Sequence, residues 1–408
     1  MSGLDTVKIA FIGTGFAARL HAEAYKQIPN VDIKISGLSS RGIEGARKFC
    51  EEFRLDPNII NRDSIDLIHT VEADIIDICT PPYTHSKYII EAAKAGKHII
   101  CEKPLTGYFG DPSVPIQERD NIGSIAKSKM LNEVLKECKT LHNEILKRNV
   151  IFGYAENWIY APPITKTKKL VQKAKSKILE IRCGESHSGS HSPFASEWKY
   201  TGGGALIRMG CHPYGAVIHL KQWEGKEKEG KPIRPQSVIA TTTKNRDLLD
   251  RLPREQDYIV SRPKDVEDWS SGIITFEDKT NAVVIASDVA LGGIENWLNI
   301  YGSNVRIETK ISNNNSVMAY APTEIQFKDA YTIEKTETKA GWSHAQPSED
   351  WMTGYPFELA DFVHSVLTAS EPISNLDLAI ETIKVIYAAY LSAETGKRIQ
   401  IPNNFTIA

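Results

Sequence analysis

Apolar runs and amphipathic stretches alternate along the first 155 residues. Val7-Lys8-Ile9-Ala10-Phe11-Ile12, Val31–Leu38, Asp74–Cys79, Lys97–Ile100 and Val150–Tyr154 are short, β-rich and bounded by turn residues. They read as buried strands. Between them lie helical patterns: a stretch reaching about Gln27, then Gly45–Glu52, Ser64–Thr70, Thr84–Ala95 and Met130–Arg148. Thr84 is a candidate N-cap and Gly96 a good C′ residue. Strand and helix in alternation predict a parallel, doubly wound sheet. From Ile178 the pattern changes. Ile178–Glu185, Gln236–Thr243, Ser271–Phe276, Asn281–Val289, Glu295–Tyr301 and Val305–Glu308 are longer β segments and predict one mostly antiparallel sheet. Helices at Pro356–Leu367 and Leu376–Thr395 follow and are expected to pack back on the first domain. The fold class is therefore α/β plus α+β. The expected domains are 1–152, a Rossmann domain with an extended loop at 105–129, and 153–408, a substrate and oligomerisation domain. There is no internal repeat.

The chain has 408 residues, 41% hydrophobic and 25% charged, enough for one full core per domain. Its net charge of −2 gives no reason to expect nucleic acid or an anionic membrane. No apolar run reaches the length of a membrane span, and the start lacks a signal-peptide pattern. Cys50, Cys79, Cys101, Cys138, Cys183 and Cys211 form no Cys-x-x-Cys pair, which suits a reducing compartment. A cytoplasmic location is the expectation.

Gly13-Thr14-Gly15-Phe16-Ala17-Ala18 is Gly-x-Gly-x-x-Ala between a strand and a helix. Gly13 permits the tight turn, Gly15 lets the backbone approach a pyrophosphate, and Ala18 lets helix and strand pack closely. Phe16 and Ala17 open the helix whose N-terminus faces the phosphates. A tight turn in another α/β protein is the alternative. The second strand ends in Leu38-Ser39-Ser40-Arg41 without the carboxylate that usually binds the 2′-hydroxyl of NAD. Ser39, Ser40 and Arg41 could hold a 2′-phosphate, which favours NADP slightly over NAD. A solvated Arg41, with NAD held by hydroxyl contacts, is the alternative.

Glu102-Lys103-Pro104 closes the strand before the long loop, so Lys103 points into the crevice at the carboxyl edge of the sheet. Gly13-x-Gly15-x-x-Ala18, Thr80-Pro81-Pro82-x-x-His85, Ala95-Gly96-Lys97-His98 and Glu102-Lys103-Pro104, in this order, resemble the Gfo/Idh/MocA oxidoreductases, a family that includes glucose–fructose oxidoreductase and inositol dehydrogenase. The ending Ser392-Ala393-Glu394-Thr395-Gly396-Lys397 is similar to the family's too. The resemblance implies that Thr80, Pro81, His85 and Glu102 belong to the cofactor site. It implies that Lys103 touches both nicotinamide ribose and substrate hydroxyl. It also implies a homo-oligomer built through the open face of the second sheet.

The second dense motif is Gly202-Gly203-Gly204-Ala205-Leu206-Ile207-Arg208-Met209-Gly210-Cys211-His212. A helix from Ala205 to His212 would put residues 208 and 212 on one face. The family carries an Asp and a general-base His at that spacing. His212 matches, and imidazole titrates near neutral pH, as a base must. Arg208 departs from the pattern. It would disfavour the protonated base if adjacent, could anchor a substrate hydroxyl or carboxylate, or could turn away into a salt bridge. Asn157, His187, His191 and Arg208 join Lys103 and His212 as candidate substrate contacts. The close spacing of Glu185, His187 and His191 also suits a metal, but a polar sugar-binding loop is the preferred reading and no metal is expected. Trp342, His344 and Glu349-Asp350-Trp351 are candidates for the same pocket.

The loop at 105–129 is long enough for a lid or a subunit-contact arm. The expected activity is reversible oxidation of a secondary alcohol on a sugar, glycoside or polyol, with ring carbon 3 of a glucoside as the favoured position. Two alternatives stand beside it: redox-assisted glycoside cleavage with NAD, and a non-catalytic nucleotide-binding regulator.

Overall fold

The computed structural model describes residues 4–249, 253–312, 315 and 317–402. Its first sheet contains β1 (Asp5–Ile12), β2 (Val31–Ser39), β3 (Ile60–Asn61), β4 (Ile75–Ile78), β5 (His98–Glu102) and β6 (Phe152–Ala155). All pairings are parallel and the order is β3-β2-β1-β4-β5-β6. The order reverses between β1 and β4, so their carboxyl ends open a crevice there. β4 is buried along its whole length, as expected of a strand covered on both faces.

The helices flanking this sheet, Phe16–Tyr25, Ile43–Phe53, Ser64–Thr70, His85–Lys94 and Lys127–Arg148, fall where the pattern placed them, within a few residues. Gly96 has φ +69° and closes helix His85–Lys94. Thr84 stands at the N-cap of that helix, but its hydroxyl donates to Thr80 Oγ1 and to the Pro81 carbonyl instead of capping it.

The second sheet contains β7 (Ile178–Ser186), β8 (Pro235–Thr243), β9 (Trp269–Phe276), β10 (Asn281–Ser287), β11 (Glu295–Gly302) and β12 (Arg306–Lys310). A small hairpin, β13 (Met318–Ala321) and β14 (Gly341–His344), lies apart, and β15 (Ile399–Gln400) completes the order β12-β11-β7-β10-β9-β8-β15. Only β7 and β10 pair in parallel. The apolar alternation along β9, β10 and β11 buries one face under helices Cys211–Glu229 and Leu376–Thr395 and leaves the other open.

The C-terminal helices reach across to the first sheet. Tyr154 N–H donates to Ser374 O at 2.9 Å, and a Cβ on Gly153 would stand 2.7 Å from the Phe362 ring. The long loop after β5 packs on the second domain. It is tied down along its own chain: Tyr108 N–H donates to Tyr387 Oη, Trp198 Nε1 to Tyr108 O, and Gly123 N–H to Asp265. Among the described residues no helix is long and apolar enough to cross a membrane.

Candidate active site

Gly13 follows β1 with φ +105°, and a Cβ there would stand 2.4 Å from the Cys79 carbonyl oxygen. The turn therefore requires glycine. Nothing lies within 4 Å of a Cβ built on Gly15, which caps helix Phe16–Tyr25. The backbone is thus open to a close ligand at a helix N-terminus, and the loop fits a dinucleotide pyrophosphate. Thr14 Oγ1 donates to Ser40 Oγ at 3.0 Å, which brings the glycine turn beside the end of β2. Ser39 is buried and its hydroxyl pairs with Ser64. Arg41 is exposed and lies over the Phe194 ring, 5.3 Å from its centroid.

A cleft of about 730 Å³ opens beside this turn. Phe16, Ala17, Thr80, Glu102, Lys103, Asn157, His187, Arg208 and His212 all line it. Gly13, Gly15, Ser39, Ser40, Arg41, Pro81, His85 and His191 do not. His85 is fully buried, with Nε2 2.8 Å from Thr80 O and Nδ1 2.8 Å from Pro104 O. It acts by pinning two loops of the crevice, not through its ring in the cleft. His191 is exposed on the loop after β7 and does not line the cleft. The chain bends away at Gly189, where φ is +119° and a Cβ would stand 2.4 Å from Ser261 N.

Lys103 follows β5 and is joined to Pro104 by a cis peptide. Its Nζ donates to the Arg208 carbonyl at 2.8 Å. Glu102 Oε2 accepts the Lys103 N–H at 2.9 Å, and Oε1 faces His21 Nε2 at 3.4 Å. Burial works against the Glu102 charge, yet His21 and Lys103 hold its pKa below the usual carboxylate value. His21 in turn lies 2.9 Å from Asp77, which also accepts from Tyr25 Oη. Burial opposes a charged His21, but Asp77 and Cys79 outweigh it and its pKa stands well above the usual imidazole value. His21, Asp77 and Cys79 lie close enough together for a metal, but their atoms already bond to one another.

The expected helix over 205–212 is interrupted. One helix covers Ala205–Arg208 and the next begins at Cys211. Gly210 N–H bonds to Ala205 O and His212 N–H to Met209 O, so the regular spacing is lost. A Cβ on Gly210 would lie 1.9 Å from Leu206 O, so the break needs this glycine. Arg208 turns away and pairs with the buried Asp288. It is therefore not the neighbour of the base that continuous helical spacing would make it.

The acid beside His212 comes from elsewhere. Glu156, immediately after β6, places Oε1 2.7 Å from His212 Nδ1. It is fully buried, and Gly215 makes room for it: a Cβ there would stand 3.1 Å from Glu156 Cγ. Trp158 stacks on the imidazole at 5.7 Å and 9° between planes. Position at the carboxyl end of a sheet strand was the available signal for Glu156. Asn157, next along, donates from Nδ2 to Thr353 O. Glu349 and Asp350 line the cleft from the far side, whereas Trp342 is 70% exposed and packs on Tyr320.

Residues 7–129 match the model of an oxidoreductase family with an NAD-binding Rossmann fold, Gfo/Idh/MocA, and residues 165–308 match the Gfo/Idh/MocA C-terminal domain. Levoglucosan dehydrogenase of Pseudarthrobacter phenanthrenivorans is 26% identical over 227 residues, 51% of this chain and 50% of that one. Myo-inositol 2-dehydrogenase of Thermotoga maritima is 31% identical over 112 residues, 28% and 32% of the two chains. The chain thus spans half or less of the length of these curated relatives.

GenD2 from gentamicin A biosynthesis, in complex with NAD, superposes with a TM-score of 0.77 at 20% identity over 98% of both chains. Scyllo-inositol dehydrogenase from Lactobacillus casei, with NAD(H) and scyllo-inositol, gives 0.69 at 18% identity over 97% and 99%. At such identities the likeness establishes the fold. With both family models matched in order along the sequence, the chain belongs to the Gfo/Idh/MocA oxidoreductase family.

Proposed function

We propose that this chain is an NAD(P)-dependent dehydrogenase acting on a secondary alcohol of a sugar, glycoside or polyol. The observation that carries the reading is that Lys103 and His212 line one cleft together with Phe16 and Ala17 of the glycine turn. The names of the curated relatives, levoglucosan and myo-inositol dehydrogenases, support the substrate class. The turn at Gly13 and Gly15 would hold the dinucleotide, whose nicotinamide supplies the hydride acceptor when bound.

Lys103 holds the alcohol oxygen and stabilises negative charge as it develops there. His212 takes the hydroxyl proton on Nε2, because Nδ1 faces Glu156. Glu156 fixes the ring orientation and favours the imidazolium that forms. The stacked Trp158 limits rotation and keeps water from one face of the ring. Ring carbon 3 of a glucoside is the position we assign; NMR of the product showing another carbon would remove that assignment.

Ser40 and Arg41, without a carboxylate beside them, support NADP as the preferred cofactor, with NAD as the alternative. The open face of the second sheet carries Trp269, Ile273 and Trp297, which supports a homo-oligomer, measurable by light scattering. The direct test follows nicotinamide reduction with NAD and NADP over a panel of monosaccharides, inositols and glucosides. Reduction with one class is the expected result. Aglycone release without net reduction would indicate redox-assisted cleavage. Cofactor binding with neither would indicate a regulator.

A further inference from the structure

We propose that β7 sets the regiospecificity of the cleft: Glu185 accepts a hydrogen bond from the substrate hydroxyl next to the carbon oxidised, and His187 donates to another substrate oxygen, so that vicinal diols are selected. The inference rests on the dehydrogenase reading and deepens it.

Glu185 and His187 are two residues apart at the end of β7, share one face of the strand, and line the cleft with Lys103 and His212. Glu185 is 8% exposed. Its Oε2 is buried without a partner, and no hydrogen bond or ion pair reaches the carboxyl among the described residues. A buried acceptor in that condition is costly unless something supplies a donor. The other buried acids around the cleft each have a partner on one oxygen, Glu156 with His212, Glu102 with the Lys103 N–H and Asp288 with Arg208, although Glu156 Oε2 and Asp288 Oδ1 are left over. Asn296, paired with Glu185 across β11, spends its Oδ1 on Ser312.

The local field decides which donor fits. Burial raises the Glu185 pKa, with His212 and Lys103 pulling it down and Glu156 and Glu334 pushing it up; burial and then Arg208, Lys335 and Lys103 lower that of His187. An ammonium group would meet these positive charges, and an anion would meet Glu185. A neutral hydroxyl meets neither objection. Burial and the same cations keep His187 neutral. Its Nδ1 accepts the Gly189 N–H at 2.9 Å, so the ring proton resides on Nε2 and can be donated.

The test compares the unaltered chain with Glu185→Ala and Glu185→Gln on inositols, glucose and methyl glucosides, each beside its monodeoxy counterparts. Glu185→Ala should lower kcat/KM on the parent alcohol about 10- to 100-fold, as leaving a buried hydroxyl without its acceptor does. The cofactor dissociation constant should stay unchanged. Removing the adjacent hydroxyl should cost the unaltered chain a similar factor and cost Glu185→Ala almost nothing. Glu185→Gln, which keeps an acceptor oxygen, should retain most of the rate. A loss in Glu185→Ala that is equal on parent and deoxy alcohols, or no loss at all, overturns the assignment while the dehydrogenase reading stands. If the unaltered chain oxidises no alcohol of the panel, the dehydrogenase reading fails and this inference falls with it.

Discussion

Replacing Glu156 by Gln tests whether an acid recruited from the first sheet supports the base. The carboxylate is fully buried and lies 2.7 Å from His212 Nδ1, so solvent screens the contact little. Hydrogen bonds to charged groups contribute about 1.5–3 kcal/mol. The carboxylate contributes most when the imidazole is protonated, which is the state reached as the alcohol gives up its proton. The variant keeps an acceptor oxygen and the shape of the side chain but loses the charge. The account therefore predicts that kcat/KM falls about 10- to 150-fold, at about 1.4 kcal/mol per factor of ten.

The split between kcat and KM separates this role from a packing role. The loss should fall on kcat, because the charge matters most in the state where the imidazole holds the alcohol's proton. Glu156→Ala should lose more, because Nδ1 is left without an acceptor. The assay is steady-state cofactor reduction between pH 5 and 9 on the best substrate of the panel. A kcat for Glu156→Gln within threefold of the unaltered chain would refute the reasoning.

Gly13→Ala should abolish cofactor binding in fluorescence titration, because its Cβ would meet the Cys79 carbonyl at 2.4 Å and φ is +105°. Asp77→Asn should destabilise the fold by about 3–5 kcal/mol, as breaking a buried pair does. His21 has a raised folded pKa, so this stabilisation is fully present below about pH 6.5 and is lost as pH rises through the folded value; chemical denaturation curves of the two proteins should converge there. Glu358 is fully buried, neither oxygen is hydrogen-bonded, and burial pushes its pKa well up. The fold binds a proton there that the unfolded chain releases, so stability declines as pH rises above the ordinary glutamate value. Glu358→Gln should raise the Tm at pH 7, with the gain vanishing near pH 4.

The longer strands, the class of each sheet and most helix bounds were legible because each follows from local pattern: apolar runs for buried strands, glycines for turns, and the Gly13–Ala18 spacing for a nucleotide loop. Lys103 was legible for the same reason, since the end of β5 fixes where it points. Arg208 was not. Helical spacing assumed one continuous helix, and Gly210 breaks it. The partner Asp288 lies just beyond β10, on which helix Ala205–Arg208 packs. Glu156 was missed because its link to His212 depends on how helix Cys211–Glu229 lies across the end of β6, which no local pattern records. His191 lies on the loop beyond β7, where Gly189 bends the chain, and no strand alternation fixes where its side chain stands.

The central claim is that Lys103 and His212 act on one alcohol. Its most direct test is single-turnover reduction of saturating cofactor by the best substrate in the unaltered chain, Lys103→Ala and His212→Ala. The account predicts that each variant still binds cofactor and loses about 10²- to 10⁴-fold in rate, the range expected for a positioned charge or base. A Lys103→Ala protein that reduces cofactor at the unaltered rate would contradict it.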